Sequence, residues 1–353
     1  MNPDAQDGRL EVVRGGAGCT VQDAGRVGHR HEGVALAGWL DGWMAGAANA
    51  LVGNPPQAAC LEWRGPALRL RVVQGPVRVA VAGGAAAWAP DAQAQVQVQP
   101  LPPWQSVLLE TGAVLDLAAL SGGCAWMAVS GGVQVAPVLG SRSTHLRTRM
   151  GGLDGRMLQP GDAFGCSTLA PQDRRLWCAA AAPDWLEAGP IRVLPGPQQD
   201  HFSAEAWARL LASAWQVTPA LDRMGLRLAG PALAHVDASA ADIVSDGVVP
   251  GAIQVPADGQ PIVLLADAQT VGGYPKIATV IRADLPRLAQ ARPGERLTFA
   301  AVDGAGARAA LARLRVRWQA WCAALRPARP PGGIDEQALY RDNLISGMLR
   351  AEP

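Results

Sequence analysis

Between residues 245 and 282 the chain concentrates the side chains best suited to chemistry on an amide or an anion. Ser245-Asp246-Gly247-Val248-Val249-Pro250-Gly251-Ala252-Ile253-Gln254-Val255-Pro256 leads through a turn at Asp258-Gly259 to an apolar run, Pro261 to Ala266. That run ends in Asp267-Ala268-Gln269-Thr270, which delivers a carboxylate, an amide and a hydroxyl to a strand end. Gly272 and Gly273 follow, and glycines let backbone N–H groups come close to a ligand. Tyr274 and Lys276 close the loop before a strand expected from Ile277 to Ile281. A tight hairpin that merely satisfied its own backbone would need one or two of these groups. Lys276 stands out further, because it is the single lysine among 31 basic residues. An ammonium is a compact point charge that can lose its proton when buried, which a guanidinium does not do. The alternative is a lysine left by chance on a surface loop.

Other clusters read two ways. Thr20-Val21-Gln22-Asp23-Ala24-Gly25-Arg26 is either a binding loop or a loop braced by an Asp23–Arg26 ion pair. Gly140-Ser141-Arg142-Ser143-Thr144, just after a strand, offers an anion-binding trio or a solvated turn. Asp222-Arg223-Met224-Gly225 reads as a salt-bridged corner. His29-x-His31 has no third ligand at metal-binding spacing, so no metal site is expected. No phosphate-binding P-loop, dinucleotide fingerprint or Gly-x-Ser-x-Gly elbow is present. Lys276 is also the one residue to which biotin could be attached. Its Tyr-Pro-Lys-Ile setting is unlike a carrier hairpin, so no biotin is expected on this chain.

The elements that must hold these groups are mostly strands. With 41 glycines, 28 prolines and short Val/Leu runs ended by turn residues, the composition of the 353 residues is that of a β-dominated chain. Strands are expected at Leu10 to Val13, Ala67 to Val73, Val77 to Val81, Ser106 to Leu109 and Cys124 to Val129. A further strand is expected at Ala94 to Val98, inside the strictly alternating segment 91–99. Asp41 to Val52 reads as a helix stopped by Gly53-Asn54-Pro55, and Ser203 as the cap of a second helix. From Gly304 to Leu325 the pattern is helical, with Ala309, Leu311, Leu314, Val316, Trp318 and Trp321 as its apolar positions. A second amphipathic piece is expected from Glu336 to Leu349. Gly65-Pro66-Ala67-Leu68 echoes Gly230-Pro231-Ala232-Leu233, a faint hint of two related β units.

A charged fraction of 17% and a net charge of +1 give no electrostatic footprint for nucleic acid or an anionic membrane. The uncharged stretch 119–140 is cut by glycines, Gln134 and Pro137 into strand-sized pieces, so no membrane span is expected. The polar, acidic N-terminus lacks the pattern of a secretory signal. Six scattered cysteines read as buried thiols in a reducing, cytoplasmic setting.

Thr20 to Arg26, Ala48-Asn49-Ala50-Leu51-Val52-Gly53-Asn54, Leu139 to Thr144, Val249 to Pro256 and Asp267 to Lys276 together resemble the allophanate-hydrolase-subunit-2-like family, also called the biotin-dependent carboxyltransferase family. The likeness runs in order from about residue 9 to 300. It implies two cyclophilin-like β-barrel domains, 9–185 and 190–303; the tail over 304–353, read as a helical extension from its pattern, has no counterpart in the family. A free-standing chain of this length most resembles the C subunit of ATP-dependent 5-oxoprolinase, which opens the lactam of 5-oxoproline to glutamate. The family also holds carboxyltransferase regions of urea carboxylase and a non-catalytic regulator of a kinase inhibitor. Two departures from the family pattern are Ala37-Gly38 in place of Ser-Gly and Asp246 in place of Glu. The resemblance implies ATP, with magnesium, at the level of a complex. The partners it implies are an allophanate-hydrolase-subunit-1-like protein (the B subunit) and a lactam-utilisation-type protein (the A subunit). For the site it implies Lys276 as an electrostatic stabiliser of oxyanion or phosphoryl charge, Tyr274 as a donor to the same oxygen, and Asp267 as the group that holds Lys276 or accepts a proton. Gln254 and Gln269 would match the amide edge of a small amide or lactam. Ser245, Thr270, Gly272, Gly273, Asp23, Arg26, Ser141 and Arg142 complete the expected substrate contacts.

Overall fold

The computed structural model describes residues 7–83, 104–117, 119–120 and 123–328. The alternating segment 91–99 and the piece from Glu336 to Leu349 lie outside the described residues. What is described is mainly β, with two sheets in the N-terminal half and one large sheet in the C-terminal half.

A four-stranded sheet has the order Val114–Leu117, Leu68–Gln74, Asp7–Arg14, Ala163–Ser167. A five-stranded sheet has the order Cys19–Gln22, Cys60–Trp63, Ala125–Val129, Val77–Gly83, Val107–Leu109. Side chains alternate across a strand, so this second sheet has two apolar faces. Leu61, Trp63, Val79, Val81, Met127 and Val129 meet Leu10, Val12, Leu70 and Phe164 in one core. Cys60, Ala80, Ala82, Trp126 and Ala128 face the other way, into a core continuous with the C-terminal half. The sheet is therefore a shared wall, and alternation puts Glu62 on the face that looks toward the C-terminal half.

Helix α1 (Gly42–Leu51) lies against that face, and its small residues Ala45, Ala47 and Ala48 are fully buried there. Asn49 and Asn54 fasten its end: Asn49 Nδ2 donates to Ala58 O at 2.8 Å and Asn54 Nδ2 to Val129 O at 2.8 Å. The Ala48–Asn54 motif thus anchors a helix to a sheet. Asp41 caps α1 by accepting from the N–H groups of Trp43 and Met44. Burial pushes its carboxyl up to about 7, and its Oδ2 is buried without a partner. A carboxyl raised in the folded state contributes stability that is present below pH ~4 and lost as pH rises through about 7. Asp41→Asn keeps an acceptor for the cap and removes the ionisation. Its melting temperature relative to the parent protein should therefore climb between pH 5 and pH 8 in calorimetric scans, whereas a flat difference would show that Asp41 ionises freely in the fold.

The C-terminal half is an eight-stranded sheet in the order Arg296–Leu297, Trp215–Leu221, Gly225–Ala229, Ile262–Leu264, Ala252–Gln254, Lys276–Val280, Ile191–Pro195, Phe299–Ala301. Its two edge strands are separated in sequence only by Thr298, so the sheet curls round on itself into a nearly closed barrel. Helix α2 (Ala204–Ala212) is capped by Ser203, whose hydroxyl accepts from Ala206 N. Helix α3 (Leu285–Ala289) is a single short turn. Gly65–Leu68 leads into a strand whereas Gly230–Leu233 follows one, so the two echoes do not occupy equivalent places.

Helix α4 (Gly304–Ala323) returns to the N-terminal half. Its buried stripe is Ala310 and Leu314, continued by Trp318 and Trp321; Ala309 and Val316 face solvent instead of packing, because they lie off that 3.6-residue stripe. Trp318 Nε1 donates to Trp43 O at 3.0 Å and Trp321 Nε1 to Ala181 O at 3.1 Å. Beyond it, Arg326–Pro327 pairs with Trp177–Cys178. The six cysteines are free thiols; four are buried, while Cys178 and Cys322 are only half-buried. Among the described residues no helix is long and apolar enough to cross a membrane.

Candidate active site

Lys276 opens a strand in the middle of the large sheet, paired on one side with Ala252–Gln254 and on the other with Ile191–Pro195. It is 2% exposed, and its Nζ donates to Asp246 Oδ2 at 2.9 Å. The Asp246 side chain, by contrast, is 52% exposed. Asp246 sits on a short ladder, Asp246–Gly247 against Val271–Gly272, which folds the 245–248 segment over the 267–276 loop. Lys276 foremost, then Gln198 and the Gly247 N–H, hold its carboxyl below the usual aspartate range. Gln198 bridges the pair, with Nε2 3.0 Å from Asp246 Oδ2 and Oε1 accepting from Lys276 N at 3.3 Å. A Cβ on Gly196 would stand 2.0 Å from Lys276 O, so the strand is pinned from behind by a residue that must be glycine.

Gln254 is the register partner of Lys276 and is buried. A Cβ on Gly272 would come within 2.5 Å of Gln254 Nε2 and 3.4 Å of Gln269 Nε2. Gly272 leaves room for both carboxamides beside its backbone. Gln254, Gln269 and Tyr274 line one cavity of about 420 Å³ together with Asp222, Met224 and Arg227. Lys276 lies behind this cavity rather than on its wall, at the register position of Gln254. Ser245, Thr270 and Gly273 shape the loop: Gly273 O accepts from Ile243 N at 2.8 Å, and Thr270 O accepts from Val248 N at 3.0 Å. Ser245 Oγ lies on the open side of Gly273.

Asp267 neither holds Lys276 nor points at it. Its two oxygens take Arg223 Nε at 3.0 Å and Arg223 Nη2 at 2.8 Å. Arg223 also donates to Glu62 Oε1 and to Gly38 O, so one buried guanidinium of the C-terminal half is clasped by two elements of the N-terminal half. Glu62 Oε2 accepts from Leu40 N at 2.8 Å and Trp126 Nε1 at 3.0 Å. Burial alone would depress the Arg223 pKa, but Glu62 and Asp267 outweigh it and raise it. The corner 222–225, expected from sequence to be salt-bridged, is so through Arg223 with Glu62 and Asp267, while Asp222 Oδ1 accepts from the N–H groups of Met224 and Gly225.

The N-terminal loops are turned inward. Asp23 accepts from Ser141 Oγ at 2.5 Å, Ser143 Oγ at 2.6 Å, Arg142 N at 2.6 Å and Gly25 N at 2.9 Å. It is thus a clasp between two loops, and neither ligand-facing nor paired with Arg26. Ser141 is spent on Asp23, and the Arg142 Nε donates to Val135 O, so the anion-binding trio does not form. Arg26 is wholly buried and donates to Ser143 O at 2.6 Å, while its Nε and Nη1 have no partner. Burial lowers its pKa. Arg30, which sequence reading passed over, donates to Val248 O and Gln269 O, and His145 Nε2 lies 3.4 Å from Asp267 O. These contacts strap the N-terminal half onto the catalytic-looking loop. Among the described residues no group of three His, Cys, Asp or Glu side chains is placed to hold a metal ion.

The family model described as carboxyltransferase domain, subdomain A and B, matches residues 32–301. The chain is 36% identical over 291 residues to the C subunit of 5-oxoprolinase from Escherichia coli (strain K12), covering 82% of this chain and 90% of that protein. Of the solved structures, TTHA0988 superposes with a TM-score of 0.70 at 34% identity, over 85% of this chain and 57% of that one. The K. lactis urea amidolyase gives a TM-score of 0.76 at 26% identity, over 89% of this chain and 20% of that one. The chain thus spans little more than half of the first of these structures and a fifth of the second.

Proposed function

The chain belongs to the family of the carboxyltransferase domain, subdomain A and B, and from that membership we propose that it forms the acceptor site of a carboxyltransferase-type enzyme acting on a small amide. The observation that carries this reading is the pair of carboxamides, Gln254 and Gln269, on one wall of the 420 Å³ cavity beside Tyr274, with the buried Lys276 at the register position behind them. A primary amide offers donor and acceptor side by side, so it matches the edge of a substrate amide or lactam. Tyr274 would donate to the substrate carbonyl oxygen. Lys276, charged in a water-poor setting, would favour negative charge building on that oxygen, and fixed charges of this kind act without reorganisation. Such polarisation acidifies the neighbouring N–H, which must be lost when nitrogen takes up a carboxyl group. Lys276 does not fit a biotin attachment point, being buried and paired with Asp246. A carboxylated biotin, where one takes part, would arrive on another chain and supply the carboxyl group.

A second reading is favoured by one observation: the near full-length match to a 5-oxoprolinase C subunit. In that reading the same wall binds the lactam of 5-oxoproline, and ATP with magnesium acts at the level of the complex. Both readings keep the expectation of two cyclophilin-like barrels, 9–185 and 190–303, with 304–353 appended. The test is reconstitution with candidate partner proteins and ATP. Bicarbonate incorporation into urea or another small amide, dependent on a biotin carrier, is the expected result. Glutamate release from 5-oxoproline without biotin would transfer the assignment to the lactamase. Tight partner binding with neither activity would instead make the chain a regulator.

A further inference from the structure

A cavity of about 760 Å³ lies apart from the one beside the carboxamides. It opens on the other side of the Leu221–Met224 corner, and both halves of the chain contribute walls. Its charged groups are unevenly satisfied. Glu62 and Asp267 are both taken by Arg223, and Asp222 by two backbone N–H groups. Arg64, Arg147 and Arg292 also line it, and none of the three has a carboxylate within ion-pair distance among the described residues. Arg64 Nε makes only a 3.3 Å bond to Gly123 O. Four arginines against three carboxylates leave the lining with a net charge of +1, and the guanidiniums with free donors are Arg64, Arg147 and Arg292; low-dielectric walls focus that excess of positive charge. The remaining walls are apolar, supplied by Leu120, Leu146, Met157, Leu221 and Met224.

We propose that this inter-half cavity is a second ligand site, which takes a small molecule joining an oxyanion, carboxylate or phosphoryl, to an apolar body. Guanidiniums suit either oxyanion because their fork of donors matches both. The site is separate from the amide-binding wall, and its occupancy does not depend on which reaction that wall serves.

Calorimetric titration of the full chain with benzoate and with benzamide isolates the charge, since the two differ only in that group. Phenyl phosphate distinguishes a phosphoryl from a carboxylate preference. Benzoate or phenyl phosphate should bind at least about tenfold tighter than benzamide, and the preference should fade as salt is raised. The combined Arg64→Gln, Arg147→Gln and Arg292→Gln variant should lose it; should that variant not fold, Arg147→Gln with Arg292→Gln, both exposed, should weaken it several-fold. Equal binding of benzoate, phenyl phosphate and benzamide, or an anion preference unchanged in the folded variant, would overturn the proposal. Because the readout is binding to the isolated chain, failure here leaves the activity assay untouched, and the reverse also holds.

Discussion

Arg223→Met will destabilise the protein by about 3–5 kcal/mol, the range seen when one partner of a buried ion pair is removed. The guanidinium satisfies Glu62, Asp267 and Gly38 O at once, and all three are deep in the molecule. Removing it leaves two buried carboxylates with no counter-charge, and methionine returns only packing. In a chain of this size the melting temperature should fall by on the order of 10 °C. Acid should relieve the loss, because a protonated carboxyl has no charge to desolvate, so the deficit should be smaller at pH 5 than at pH 8. Arg223→Lys should land between the two, keeping charge but losing the fork that reaches both acids. Adding Glu62→Gln and Asp267→Asn to Arg223→Met should recover part of the deficit, since neutral amides need no counter-ion. A single Arg223→Met variant as stable as the parent at pH 8 would show that the network does not hold the two halves together.

The location of this network explains where sequence reading succeeded and where it stopped. Strands such as Val77–Gly83 and Ala125–Val129 were visible from local pattern, as was the cap at Ser203. The 267–276 loop was visible because its polar groups crowd into ten residues. The partner of Asp267 was not, because Arg223 is 44 residues away and Glu62 is 161 residues from Arg223. Nearness in sequence suggested Lys276, but strand geometry sends the lysine toward Asp246 and the aspartate toward the corner. Arg30 reaches Val248 across 218 residues and leaves no spacing signal at all. Asp23, Ser141 and Arg142 carried a motif strong enough to notice, and the motif proved to be a clasp. Specific spacing marks a place where geometry is fixed, which includes ligand sites and loop-to-loop joints alike. Gln198 had one readable cue, the Pro195-Gly196-Pro197 run just before it, since a glycine between prolines implies close approach of another backbone.

Lys276→Met should show the opposite signature to Arg223→Met, with activity lost and stability kept. Its counter-ion, Asp246, is half exposed, so removing the ammonium strands no buried charge, while methionine fills the channel left by a side chain that was itself costly to bury. The melting temperature should therefore stay within a few degrees of the parent. If the charge acts on the substrate oxygen, kcat/KM of the reconstituted complex should fall by about 10²–10³, the cost of removing one oxyanion-stabilising donor. The fall should sit mostly in kcat, because a charge felt most strongly in the transition state contributes little to ground-state binding. Lys276→Arg should not restore the rate, since a longer planar guanidinium does not reproduce the point charge that Nζ places at Asp246 Oδ2. The pH profile separates this from simple loop scaffolding. Asp246 is held below the usual aspartate range, so the pair's contribution persists above pH ~4 and is lost only as pH falls through that lowered value. Activity of the parent complex should accordingly show no acid limb from this pair between pH 5 and 7. A Lys276→Met complex with parental turnover would remove the lysine from the chemistry. A Lys276→Met chain that melted as early as Arg223→Met would make it part of the scaffold.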